Sequence, residues 1–231
     1  MTRTKAEARE QSASAMLAAG MQILREMPVG NILSQVKAAE VAQRAGKTTG
    51  AFYNIWKRQA DYHRDLIKYT LSQERFKADA DTVQDIVRYL EQPELDLAAL
   101  IRTAANTNFD GLKAEPAMPL QMALWSKHQV DDDLCEEVRN LYKGLHEMFH
   151  PFHAEVLNKS GRRVRPPYTT HTIAVVLLAL IEGLHMRWAV DPAAVPDDFG
   201  SPPEAGHDEQ RWGMFAAVTY TLVTAMTEAE T

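Results

Sequence analysis

Between Lys47 and Arg58 the chain reads KTTGAFYNIWKR. Two hydroxyls, a phenol, an amide and three cations fall within twelve residues. Such groups bond to phosphate oxygens and reach base edges in a DNA groove. If the stretch from Thr48 to about Ile55 is helical, Phe52, Ile55 and Trp56 pin it to a core. Thr48, Thr49, Tyr53 and Asn54 then point outward, and Gly50 lets backbone come close to a partner. Lys57 and Arg58 stand where the next helix begins, so their charge and its free N–H groups together suit a phosphate. Lys37, Arg44 and Lys47 widen the basic surface.

The elements that must hold these groups are legible upstream. Apolar residues from Ala6 to Met27 recur at helical spacing, and Pro28 and Gly30 end that helix. A second helix is predicted from Ser34 or Gln35 through Arg44. Its core face is Ala38, Val41, Ala42 and Ala45, and Gly46 supplies the left-handed turn that closes it. Small residues at 38, 42, 45 and 51 allow close helix approach, and Thr48 caps the next helix. Two short helices joined by a tight turn form a helix-turn-helix. A helical hairpin with a solvated polar face has the same periodicity. A longer helix starts at Lys57, with Tyr62, Leu66, Tyr69 and Leu71 on its apolar side, and reaches about Ala80.

Charge divides the chain in the same way. Residues 1–75 hold 12 Lys and Arg against 7 Asp and Glu, a surplus of five; residues 76–231 hold 13 against 24, a deficit of eleven. A basic front on an acidic body is expected where only the front meets phosphates. The single cysteine, Cys135, leaves no internal disulfide and suits a reducing cytoplasm. The start, MTRTKAEAREQ, lacks the apolar run of a secretory signal. The run Ile173 to Ile181 is too short to span a bilayer.

Catalysis is not expected. There is no Gly-rich phosphate loop, G-x-S-x-G elbow or H-E-x-x-H, and Cys135 lies among acids, a poor setting for a nucleophile.

The remainder reads as all-helical, with spans near 83–91, 95–112, 117–130, 133–158, 168–190 and 209–228. Residues 159–167 form a basic turn, and 191–209, rich in Pro, Gly and Asp, form a loop. Its middle is rich in Met, His and aromatic residues: Phe109, Met118, Met122, Trp125, His128, His146 and Phe149, joined by Trp188. They suit either plain core or a pocket for an apolar or aromatic molecule. His146, His150 and His153 share a face at i, i+4 and i+7, a spacing metals use. Pro151 interrupts them and no acid or cysteine completes a site, so neither metal nor cofactor is expected. Two late helices are strongly apolar, through Ile173, Val176, Leu177, Leu180 and Leu184, and through Trp212, Phe215, Thr219 and Leu222. They fit one protomer core or a four-helix interface between two copies.

The stretch VAQRAGKTTGAFYNIWKRQA, residues 41–60, resembles the TetR-type transcriptional repressors, whose pattern is I-A-x-x-A-G-V-S-x-G-x-[LF]-Y-x-[HY]-F-x-[SN]-K-E. Ala42, Ala45, Gly46, Gly50, Phe52 and Tyr53 match, and Val41, Thr48 and Trp56 match in kind. The resemblance covers residues 10–72 by motif and the rest by architecture. It departs at Ile55, Gln59, Ala60, Thr49 and Val36, so phosphate contacts shift from Gln59 to Lys57 or Arg58 and the second helix needs another cap. The resemblance implies a helix-turn-helix domain over 1–56, a connecting helix over 57–80, and a ligand-binding and dimerisation domain over 81–231. It implies that Tyr53 touches a phosphate while Thr48, Thr49, Ala51 and Asn54 lie nearest the major groove. It favours the pocket and the dimer, and with them a homodimeric repressor that leaves a palindromic operator when a small molecule binds. Two-fold symmetry sets the reading helices about 34–36 Å apart. The alternative is a helical binding or interaction protein with weak or lost DNA binding.

Overall fold

The computed structural model describes residues 4–26, 36–73, 75–114, 132–206 and 209–230. These residues are overwhelmingly helical and group into two compact units, one built on residues up to Arg75 together with 132–138 and the other on Phe76–Glu115 and Arg139–Thr231.

In the first unit, α1 (Lys5–Glu26), α2 (Ala38–Arg44), α3 (Thr49–Ile55) and α4 (Gln59–Gln73) share one core. Met16, Ile23, Val36, Val41, Phe52, Tyr62 and Leu66 are fully buried there. The start of α2 differs from expectation. Its N-cap is Lys37, with no side-chain cap, so the helix begins at Ala38 and not at Ser34 or Gln35, which lie outside the described residues. Val36 explains the delay. Its side chain is buried, and its carbonyl accepts bonds from Gln59 Nε2 at 3.1 Å and His63 Nε2 at 3.0 Å. That carbonyl is committed to α4 before α2 begins.

Gly20 fixes the approach of α1 to α4. A Cβ there would stand 2.0 Å from the Tyr62 hydroxyl and 3.0 Å from Leu66 Cδ1. Tyr62 cannot swing away cheaply, because its hydroxyl donates to the Met16 carbonyl at 2.9 Å inside the core. Burial also pushes the Tyr62 pKa up. Gly20→Ala is therefore expected to cost about 1–3 kcal/mol by overpacking, read as a lower denaturation midpoint. An unchanged midpoint would mean that α1 shifts freely.

The second unit contains α5 (Arg75–Leu90), α6 (Leu97–Lys113), most of α7 (Asp132–Lys159), α8 (Thr170–Val190) and α9 (Met214–Met226). Asp96 and Thr169 cap α6 and α8 by accepting from backbone N–H groups three residues on. α6 packs on both α8 and α9. Ile86, Leu90 and Ala104 form a core to which α7 adds Phe149, Phe152 and Val156. The predicted helix over 117–130 lies outside the described residues.

Two expectations are corrected here. The basic turn at 159–167 contains a strand, β1 (Arg162–Val164), paired antiparallel with β2 (Thr227–Ala229). Arg162 braces the pair by donating to Thr227 Oγ1 and to the carbonyls of Thr224 and Thr227. The last helix begins at Met214 and not at 209. Asn106 of α6 holds the preceding chain, donating to the Arg211 carbonyl and accepting from Gly213 N–H, and those bonds compete with a helical turn.

Candidate nucleic-acid interface and effector site

The reading helix is built from its ends. Gly46 sits at φ +65, where an ordinary side chain is strained. Its N–H bonds to the Gln43 carbonyl, and that of Lys47 to the Ala42 carbonyl at 2.8 Å, so two of the orphan carbonyls of α2 are satisfied. Thr48 Oγ1 then accepts from Ala51 N–H at 3.1 Å and starts α3. On its inner side Phe52 lies 4.8 Å from Tyr62 and 5.2 Å from Trp56, centroid to centroid. Trp56 Nε1 donates to Asp65 at 2.7 Å, which fixes the indole.

The outer side carries the predicted groups. Lys37, Lys47, Thr48, Thr49, Tyr53, Asn54, Lys57 and Arg58 are exposed, and Ala51 is half-buried between them. Tyr53 is 44% exposed, high for an aromatic residue in a compact unit. Ile55 is only half-buried, so Phe52 and Trp56 carry the anchor. Arg44 widens the basic surface less than its charge suggests, because it is paired with acids. Its guanidinium is bound to Glu26 at 2.7 Å and Glu40 at 3.1 Å, and Glu26 is held below the usual carboxylate range by that bond. Gln59 is turned inward onto Val36, and Arg58 N–H is already bonded to Asp61 at 3.0 Å.

In the second unit the expected effector residues separate into two groups. Phe109 is buried, and its ring stacks with Phe215 at 6.0 Å and meets His185 at 6.4 Å. Trp188, half-buried, lies 5.6 Å from His185. The Lys113 ammonium stands 4.9 Å from the Phe109 ring and 5.7 Å from that of Trp188. His146 instead faces His171 at 4.7 Å and His150 at 5.2 Å, while Phe149 packs on the Ile86 core. Met118, Met122, Trp125 and His128 lie outside the described residues. Among the described residues no three His, Cys, Asp or Glu form a metal-holding group.

Several polar groups here escape sequence reasoning. Glu182 is buried in the middle of apolar α8, accepting from the Tyr142 hydroxyl at 3.0 Å and 3.1 Å. Asn108 is buried and donates to Asp79 and Thr82. Only an acid inside an otherwise apolar run, Glu182, carried a signal that could have been followed.

The expected interface residues also divide. Trp212, Phe215 and Thr219 are buried within the protomer, as is Ile173, whereas Val176, Leu177, Leu180, Leu184 and Leu222 are half-buried. α8 is long and apolar enough to cross a membrane by length and composition, yet only 28% of its apolar window is buried. Its exposed line is Val175, Ala179 and Gly183.

His153 carries a pH dependence. Burial, then the charges of His150 and His146, push its pKa down to about 4, and its Nδ1 has no hydrogen-bond partner among the described residues. The imidazole is neutral when folded and takes a proton more readily when unfolded. Its contribution is intact above about pH 6.5 and is lost as pH falls towards 4, amounting to about 2–3 kcal/mol. Melting curves between pH 7 and 4.5 are expected to fall less steeply for His153→Leu than for wild type. Parallel curves would remove His153 as the cause.

Residues 97–200 match the BetI-type transcriptional repressor C-terminal family. A TetR-family regulator from Mesorhizobium loti superposes with a TM-score of 0.68, covering 98% of this chain and 100% of its own at 10% identity. The fold is TetR-type. A transcriptional regulator from Rhodococcus sp. Rha1 gives 0.54 at 17% identity, covering 95% and 98%. The regulator FadR from Bacillus subtilis, solved in complex with stearoyl-CoA, gives 0.54 at 12% identity, covering 92% and 96%. No curated protein matches the chain. The exposed stripe of α3 lies in the N-terminal unit, and most of the BetI-type region lies in the unit that holds Phe109 and Trp188.

Proposed function

We propose that this TetR-type chain is a ligand-responsive, cytoplasmic repressor without catalytic activity, which binds a palindromic operator as a homodimer. The observation that carries the reading is α3: Thr48, Thr49, Tyr53 and Asn54 face outward while Phe52 and Trp56 are buried. Thr48, Thr49, Ala51 and Asn54 meet base edges, and Tyr53, Lys47, Lys57 and Arg58 hold phosphates, with Lys37 at the margin. With Arg44 paired to Glu26, the grip depends on fewer cations than the basic surplus of the front suggests, and Gln59, turned inward, adds no polar contact.

The poorly buried apolar face of α8 supports the homodimer, because a two-fold interface would cover it twice. The Phe109 and Trp188 rings support an apolar or aromatic effector, and the acyl ligand of FadR is an example of an apolar-bodied molecule bound by a protein of this fold. Release requires that the effector bind the form off DNA more tightly than the form on it.

Fluorescence anisotropy with DNA from upstream of the chain's own coding region tests the DNA half. Affinity is expected to fall steeply and linearly in log–log form as salt rises. Absent binding, or binding indifferent to salt, would overturn it. The inward turn of Gln59 favours, as a second reading, a binding protein with weak DNA affinity.

A further inference from the structure

We propose that Lys113 is the anion anchor of the effector site, and that Asp197 occupies it as a stand-in for the carboxylate of an amphipathic small acid. The proposal rests on the effector reading above and names the class of molecule it would take.

Lys113 lies in the last turn of α6 with its side chain 13% exposed, and its ammonium stands beside the Phe109 and Trp188 rings. Two carboxylates hold it. Asp110, 3.0 Å away, belongs to the same helix and is also bound by Arg211. Burial pushes the Asp110 carboxyl up, and the bonds from Arg211 and Lys113 outweigh that and hold it low. Asp110 is the fixed counter-ion.

Asp197 is different in kind. It comes from the connector between α8 and α9, 84 residues along the chain, and its side chain is 63% exposed. A largely buried ammonium thus docks a carboxylate delivered from the solvent side, next to two aromatic faces. A buried ammonium needs a compensating anion, but nothing around it specifies which molecule supplies that anion. Asp197 brings no apolar body to the half-buried face of Trp188. An acid with an aromatic or alkyl body satisfies the ammonium equally and covers the indole as well. It therefore displaces Asp197 and frees the connector that leads into α9.

The plain alternative is a structural latch in which Lys113 only ties down the connector. Calorimetric titration of the full chain with 4-phenylbutyrate and octanoate separates the two, with 4-phenylbutyramide and octanamide as neutral isosteres. The acids are expected to bind saturably and the amides at least tenfold more weakly. Lys113→Met is expected to weaken the acids at least tenfold, and Asp197→Asn, which removes the internal competitor, to tighten them severalfold. Asp197 is exposed, so that variant keeps the test valid even if Lys113→Met fails to fold. No saturable binding of either acid, equal binding of the amides, or weaker binding to Asp197→Asn would each overturn the anchor. DNA affinity is measured in parallel. Acid binding without DNA binding would count against the repressor reading and leave the anchor standing.

Discussion

Phe52→Ala is expected to melt the N-terminal unit selectively and to abolish DNA binding. Phe52 has no exposed surface and touches the rings of Tyr53, Trp56 and Tyr62 at 5.3, 5.2 and 4.8 Å. Trp56 and Tyr62 also meet each other at 4.9 Å, so one residue is the hub of an aromatic cluster. Removing a buried phenylalanine costs about 3–5 kcal/mol, a large share of what a whole domain possesses. The ring cannot be replaced by collapse, because Tyr62 is tied to the Met16 carbonyl and Trp56 to Asp65. Phe52→Leu keeps most of the volume and is expected to cost less. Hydrogen exchange provides the test. Amides of α2 to α4 should lose protection in Phe52→Ala while those of α6 and α9 keep it. Equal loss in both units would show that they unfold as one, and the argument for a separately built reading unit would fail.

How far this was legible depends on the range of each interaction. Gly46 and Thr48 act within five residues, so their turn and cap follow from residue type alone, as the φ of +65 and the Ala51 bond bear out. Phe52 and Trp56 were placed correctly by helical period. Ile55 was not, since periodicity alone does not say how wide the buried stripe is. The start of α2 was misjudged because Val36 is claimed by Gln59 and His63, 23 and 27 residues away, which no local pattern records. β1 and β2 escaped for the same reason. Three residues each, 65 apart, they show no alternation to read. In the second unit Phe109 and Trp188 share His185 and also Lys113, a cation that composition assigns to solvent. Trp212 and Phe215 suit a protomer core and a partner surface equally by hydropathy, and they are buried within the protomer.

The exposed side of α8 gives the other large effect: Val175→Arg is expected to yield a folded monomer. Val175 is 50% exposed in the protomer, and Ala179 and Gly183 continue the same line at i+4 and i+8. A Cβ added at Gly183 meets nothing within 4 Å, so the protomer itself has no need of a glycine there. A partner helix crossing closely would. Glu182 and His185 face inward to Tyr142 and to the Leu112 carbonyl, leaving the middle of the outer line apolar between exposed His171 and Arg187. An arginine at 175 is harmless to a protomer that leaves the position in water. In a two-fold interface it is introduced twice and must be desolvated against apolar neighbours. Operator affinity is expected to fall by at least about 100-fold, near 3 kcal/mol, because each half-site would then be held alone. Light scattering and anisotropy on the same samples check both parts. If Val175→Arg remained a dimer with full operator affinity, the dimer would have to be built on another face, and the scant burial of α8 would need a different partner.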